Sequence, residues 1–351
     1  MATTYKTFLN NDVAATRTLL HEAVPITGSI VSGTYGTLAA GTNIKTYTSD
    51  LFESVYDYPY LSSSANHIFD ITMGYASTSP YSASAVAGGV SSNDIQNKIN
   101  MYNEMAQVLM GHDATGTILQ FDQDGDIGSG GTKLDSIYAL NFARLLTKDE
   151  IKKGSFTLQL GDTTAFASAN NTTLTVQDLQ APNIYKVNSP AGEYGILYTS
   201  SAEISSVSGV GLLFYQAGVA ILTSSLFAAA DVMDVAGQTR DQIFTGSTIT
   251  ENANALRHRF IDLDFNNTTE LNSTIYFCRV NHNEFNYSSN PTYLSSSKIV
   301  VKQQQSDAPV AYMTTVGLYS ADNELLATAK VSEPLKKDPN NELILRVRLD
   351  Y

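Results

Sequence analysis

From Gly154 onward the apolar residues of this chain recur at every second position. Phe156, Leu158 and Leu160 alternate with polar neighbours, the pattern of a strand with one face in a core and the other in water. Clusters of Asn, Asp, Gly and Ser separate one such run from the next, as turns require. The clearest pair is VAYMTTVGLYS and ELLATAKVS, joined by ADN into a hairpin of two long strands. The closing run ELILRVRLD puts Leu343, Leu345, Val347 and Leu349 on one face and Ile344, Arg346 and Arg348 on the other. More than half of the chain is thereby committed to sheet.

The first 153 residues read differently. Asn10, Asn11 and Asp12 offer N-caps for a helix running to about Ala23, which Pro25 stops. Asp50 with Glu53 resembles a capping box, opening a short turn that ends before Pro59. The best helix lies near residues 93–110. There Ile95, Ile99, Tyr102, Ala106 and Leu109 recur at helical spacing, Asn93 stands ready to cap, and Gly111 sits where a left-handed stop belongs. Thr147 and Glu150 mark a second capped turn. The expected class is α+β, mainly β: a helix-containing N-terminal part followed by an antiparallel, β-sandwich-like C-terminal part. Three segments are expected: a mixed α/β part over 1–153, a β-rich central part over 154–253, and an all-β domain over 254–351.

Charge narrows the function classes. Lys and Arg number 21 against 34 Asp and Glu, a net charge of −13, so a phosphate backbone is not the expected partner. The run KKDP at Lys336–Pro339 reads as a turn rather than a basic patch. Charged residues make up 16% of the chain, below the ~25% usual for globular proteins. Ser, Thr, Asn and 20 Tyr take their place, and such a surface costs little to desolvate against a partner. The stretch Val210–Ala230 approaches the ~20 residues of a membrane span. Gln216 and Gly218 interrupt it and Lys186 and Arg240 lie far off, so it reads as two buried strands joined at QAG, and no membrane is expected. MATTYKTFLNNDV lacks a basic stretch followed by an apolar one, so no Sec signal is expected. Cys278 is the single cysteine; it provides neither a disulfide nor a thiolate cluster and reads as a small buried hydrophobe.

Candidate chemistry is sparse. In FDQDGDIGSGGTKLD, Asp122, Asp124 and Asp126 match the first, third and fifth positions of an EF-hand loop. Ile127 stands where glycine is needed, however, and Lys133 where a bidentate Glu should close the cage. An acidic, Gly-rich turn is the default, with weak Ca²⁺ binding by the three Asp as the alternative. GSGGTK misses the P-loop pattern because Thr132 separates Gly131 from Lys133. The five histidines show no metal-site spacing, and no GxSxG elbow occurs. Asp262 and Asp264 share a strand face and could act as an acid/base pair; the plainer reading is a solvated face opposite Arg257 and Arg259. No cofactor and no catalytic residue are expected.

The densest polar stretch is RVNHNEFNYSSNPTY, Arg279–Tyr293. His282 and Glu284 would share a side if extended, yet a metal needs a further ligand that the sequence does not indicate. Asn286, Asn290 and Pro291 are turn chemistry, while Phe285, Tyr287 and Tyr293 supply aromatic knobs of the kind that interfaces enrich. Phe285, Asn286, Tyr287, Asn290 and Tyr293 are therefore the candidate interface residues of an ordered, interlocking loop.

This stretch, with PVAYMTTVGLYSADNELLATAKVSEPLKK, the closing RVRLD, SVYDYPYLSSSANHIFDITMGY and NFARLLTKDEIKKGSF, resembles virion structural proteins of contractile-tailed bacteriophages of the cyanophage and marine myophage type. The resemblance implies a non-enzymatic building block of the tail, expected in the baseplate of a virion assembled in the host cytoplasm and bound to other tail proteins as a homo- or hetero-oligomer. A receptor- or glycan-binding module at the tail periphery, or a structural protein of the neck or tail tube, is the alternative.

Overall fold

Strands dominate the computed structural model, which describes residues 5–27, 31, 43–82, 91–125, 131–161, 173–199, 209–233, 237–288, 294–295, 298–299, 306 and 308–351. The strands of the first half are β1 (Val13–Thr27), β2 (Ile44–Thr46), β3 (Glu53–Tyr56), β4 (His67–Tyr75), β5 (Ser136–Phe142), β6 (Glu150–Ile151), β7 (Thr157–Gly161) and β8 (Thr173–Gln177). Then come β9 (Lys186–Ser189), β10 (Gly192–Leu197), β11 (Gly211–Phe214), β12 (Val219–Thr223) and β13 (Phe260–Val280). The last five are β14 (Leu294–Ser295), β15 (Lys298–Ile299), β16 (Ala311–Tyr319), β17 (Leu325–Lys337) and β18 (Leu343–Asp350). Helices are α1 (Ser92–Leu109), α2 (Arg144–Thr147), α3 (Ala181–Ile184), α4 (Arg240–Gly246) and α5 (Ile249–Arg257).

The chain divides into two compact units, Leu20–Thr269 and a smaller one made of Met1–Leu19 with Glu270–Tyr351. Both chain ends thus belong to one unit, which differs from the three consecutive segments expected. The expected boundary between residues 253 and 254 falls inside α5, whose start is fixed by a Thr248–Glu251 capping box.

In the larger unit an eight-stranded sheet runs in the order β2-β3-β4-β5-β12-β11-β10-β9, its neighbours antiparallel. The apolar stretch at 210–230 forms the hairpin β11–β12 of this sheet, as its QAG turn implied, with Gly218 at φ 68°. Among the described residues no helix is long and apolar enough to cross a membrane. The expected helix is α1, capped by Ser91 with Asp94 rather than by Asn93, and stopped at Gly111 with φ 83°. It lies so close to β4 that a Cβ on Gly74 would fall 2.7 Å from Lys98 O and Tyr102 N; only glycine permits that approach. Phe156, Leu158 and Leu160 are fully buried, as their alternation requires.

Two expectations for the first third are overturned. Residues 10–23 form a 3₁₀ turn, Asn10–Asp12, and then strand β1, not a helix. Residues 13–23 are exposed apart from half-buried Ala14, so no apolar stripe anchors a helix, and pairing with β13 decides the conformation. Asp50 caps no helix either; it turns the chain at φ 54°, and Glu53 enters β3 fully buried. A third correction concerns Arg257 and Arg259, expected opposite the solvated face of Asp262 and Asp264: both arginines are buried. Arg257 donates to Val31 O at 3.1 Å and lies 3.6 Å from the Glu53 carboxylate. Arg259 donates to Gly161 O and Val232 O and stacks 4.7 Å over Phe227.

The smaller unit is built differently. Residues 270–280 of β13 pair with β18 from Ser273↔Asp350 to Val280↔Leu343, and β16 pairs with β17 as a two-stranded hairpin. The hairpin turns at Asn323, φ 64°. In β18 Val347 is buried and Ile344, Arg346 and Arg348 are exposed, as read from the alternation. Among the described residues, Val280, Ala311, Leu318 and Val347 are the only apolar side chains this unit buries, while fourteen large ones are exposed. The described residues of the larger unit include 49 buried apolar side chains and ten large exposed ones. Charge divides just as unevenly: the smaller unit holds ten Lys or Arg and ten Asp or Glu, so the entire −13 resides in the larger one.

Candidate interface loop

The loop after β13 is assembled around a buried ammonium. At the other end of the hairpin, Lys337 faces inward opposite Ala311 and is fully buried. Its Nζ donates to Asn286 Oδ1 at 2.6 Å, Asp338 O at 2.8 Å and His282 O at 3.1 Å. An ammonium has three protons to give, and here three oxygens take them. That satisfies the requirement for burying a charge without a facing carboxylate.

Short-range bonds complete the frame. Glu284 N donates to Asn281 O at 3.1 Å, and Asn281 N returns a bond to Glu284 Oε2 at 3.1 Å. Lys6 also pairs with that carboxylate, and these two donors, Lys6 foremost, hold the Glu284 carboxyl below the usual carboxylate range. Asn286 Nδ2 donates to His282 O at 2.8 Å, so the Asn286 amide bridges the turn to the Lys337 ammonium. Asn286, half-buried, is thus also a scaffold of the loop.

What the frame displays is aromatic. Phe285 is 48% exposed and Tyr287 54% exposed. Phe285 is held at φ 52°, a conformation that costs a residue with a Cβ roughly 1 kcal/mol. Phe285 is thus an exposed ring held at a strained backbone position by a hydrogen-bonded frame. Asn290, Pro291 and Tyr293 lie outside the described residues.

The metal readings fare differently. His282 Nδ1 sits 3.3 Å from Glu342 Oε1, with both side chains 66% exposed, whereas Glu284 is engaged by Lys6 and Asn281. The two side chains therefore serve separate partners. Asp122 is buried and pairs with Lys133, while accepting from Asp124 N at 3.0 Å. The Lys133 ammonium supplies the positive charge that a Ca²⁺ ion would bring. Asp126 lies outside the described residues. Among the described residues no group of three or more His, Cys, Asp or Glu converges as metal ligands would.

Other titratable groups serve the backbone. Asp178 accepts from Gly154 N at 2.8 Å, Phe156 N at 2.9 Å and the Tyr215 hydroxyl at 3.0 Å. Lys98 closes the C-terminal end of α4 by donating to Phe244 O and Ser247 O, the position where a helix favours a cation; burial brings its pKa down to about 8. Asp262 and Asp264 face Gln159 and Thr157 across the ladder rather than any arginine. Burial, then the Asp262 charge, raises the Asp264 carboxyl. Cys278 is half-buried in β13, where burial pushes its thiol up and away from reactivity.

Lys337 and Lys6 were not singled out by the sequence. Strand parity was the available signal for Lys337: it follows Leu335 by two positions, on the side of β17 that faces the core. No protein-family model, curated protein or solved structure matches this chain.

Proposed function

We propose that this chain is a non-enzymatic structural subunit of a contractile-tailed phage virion, placed in the tail baseplate, and that its smaller unit binds other tail proteins. One observation carries the reading: among the described residues the smaller unit exposes fourteen large apolar side chains and buries only four apolar ones, Ala311 included. A unit with so few buried side chains has little hydrophobic stabilisation of its own, and a two-stranded hairpin is at best marginally stable in water. Covering those strands with neighbouring subunits supplies the missing burial. The unit's balanced charges lower the cost of close contact, and the Lys337-centred loop presents Phe285 and Tyr287 as anchors. The buried acids and bases described above are tied to backbone or to each other, which favours a scaffold over a catalyst.

Quantitative mass spectrometry of purified particles tests the reading. A fixed, stoichiometric copy number is expected; recovery in the lysate supernatant alone refutes it. A glycan-binding role at the tail periphery is the second reading. It is favoured by the adjacent exposed rings of Tyr5 and Tyr319, 4.6 Å apart, since such faces stack on sugars, and a glycan array without binding removes it.

A further inference from the structure

We propose that β16 pairs edge to edge with β16 of a second copy of this chain, antiparallel about a twofold axis at Thr315. The inference rests on the assembly reading above and adds the partner to it.

The nine residues of β16, AYMTTVGLY, include no charge and no proline. Edges left in water are ordinarily guarded against further pairing by lysine, proline or a bulge. Strand β17 has all three: Lys330 and Lys336, Pro334, and a break in register between the pairs Met313↔Leu335 and Thr315↔Lys330. One edge of the hairpin is therefore guarded and the other is not. Among the described residues β16 pairs with β17 alone. Its outer side chains Tyr312 and Tyr319 remain 48% and 43% exposed.

Charge selects a second copy as the occupant. A charged strand would bring ions against an edge that has nothing to pair them with, whereas β16 against itself brings none in any register. The surrounding unit is electrically neutral, so two such units meet without the repulsion that two larger units, each at −13, would feel. An antiparallel pairing of nine residues forms about nine backbone hydrogen bonds, close to the ~10 of a typical specific interface. It also turns two hairpins into one four-stranded sheet, past the size at which a sheet with an apolar face holds together.

Sedimentation of the full chain over a dilution series reads the pairing. A reversible dimer is expected, with Thr315→Lys raising its Kd about tenfold or more because identical charges meet across the axis. Thr328→Lys, on the exposed face of β17, leaves Kd unchanged. In a Cys278→Ser background, Thr315→Cys should cross-link two chains on mild oxidation and Thr328→Cys should not; this arm decides the matter if Thr315→Lys fails to fold. A monomer at all concentrations, a dimer indifferent to Thr315→Lys, or cross-linking through Thr328→Cys instead overturns the proposal. A monomer in solution that is nevertheless stoichiometric in particles refutes strand pairing and leaves the assembly reading intact, while a dimer absent from particles does the reverse.

Discussion

Replacing Lys337 by Met keeps most of the buried stem and removes the ammonium. Three charge-assisted hydrogen bonds disappear, to Asn286 Oδ1, Asp338 O and His282 O, each of which contributes roughly 1.5–3 kcal/mol. Against that, the chain no longer pays to desolvate a cation, a cost of several kcal/mol. His282 O retains the Asn286 amide and Asp338 O retains the Asn341 N–H as donors, so one oxygen, Asn286 Oδ1, is left short. At roughly 1–3 kcal/mol for that group, the net loss is about 2 kcal/mol. Because the chain comprises two units, a single melting temperature is a poor gauge; local hydrogen exchange over residues 281–288 is better. About 2 kcal/mol corresponds to exchange roughly thirtyfold faster at protected amides of the loop. Lys336→Met is the control, since that side chain is 56% exposed in a surface pair with Asp338, and it should shift exchange by less than about 0.5 kcal/mol. Equal effects of the two substitutions, or an unchanged loop in Lys337→Met, would show that the buried ammonium is not what holds the loop.

Phe285→Gly should act with opposite signs on stability and assembly: relief of the strained backbone slows local exchange in the free chain by about fivefold (~1 kcal/mol), while loss of the ring weakens incorporation into particles. A fall in both measurements refutes presentation as the role of that ring. Tyr287→Ala should leave the free chain's circular dichroism and melting unchanged and weaken assembly by about 2 kcal/mol; a melting drop with intact assembly contradicts it. For Glu53, burial foremost raises the carboxyl from 4.5 to about 7 in the folded state. The native state thus holds a proton that the unfolded chain releases above pH 4.5, so this group favours folding at low pH, and its contribution is lost as pH rises from 4.5 through 7. Glu53→Gln should flatten the pH dependence of urea unfolding across that window by an amount on the order of 2 kcal/mol; an unaltered profile contradicts the assignment.

How much of this was legible depends on whether the local pattern and the tertiary context agree. Phe156, Leu158 and Leu160 announced β7, and the alternation of Leu343 to Leu349 announced β18, because each strand packs one face and leaves the other in water. The stripe from Ile95 to Leu109 announced α1 for the same reason. Strand β1 was illegible: with residues 13–23 almost wholly exposed, no face of it is apolar, and only its neighbour β13 makes it a strand. Helix α5 carries a local signature at its start, the capping box of Thr248 and Glu251. Arg257 resembles the charged surface residues of its surroundings, and nothing local signals the buried Glu53 that sits 201 positions from its neighbour Asn254. In the loop, Phe285 and Tyr287 are legible as aromatic knobs, whereas the amide of Asn286 as the bridge to Lys337 is not. That bridge spans 51 residues, beyond the reach of any local pattern.

Hydroxyl-radical footprinting of the chain, free in dilute solution and within purified particles, tests most directly the claim that the smaller unit is an assembly surface. Tyr5, Phe285, Tyr287, Tyr312 and Tyr319 should lose reactivity about tenfold on assembly, with Tyr58 and Tyr60 of the larger unit, both exposed, as internal references that keep theirs. Equal reactivity of the smaller unit's rings in both states would contradict the account.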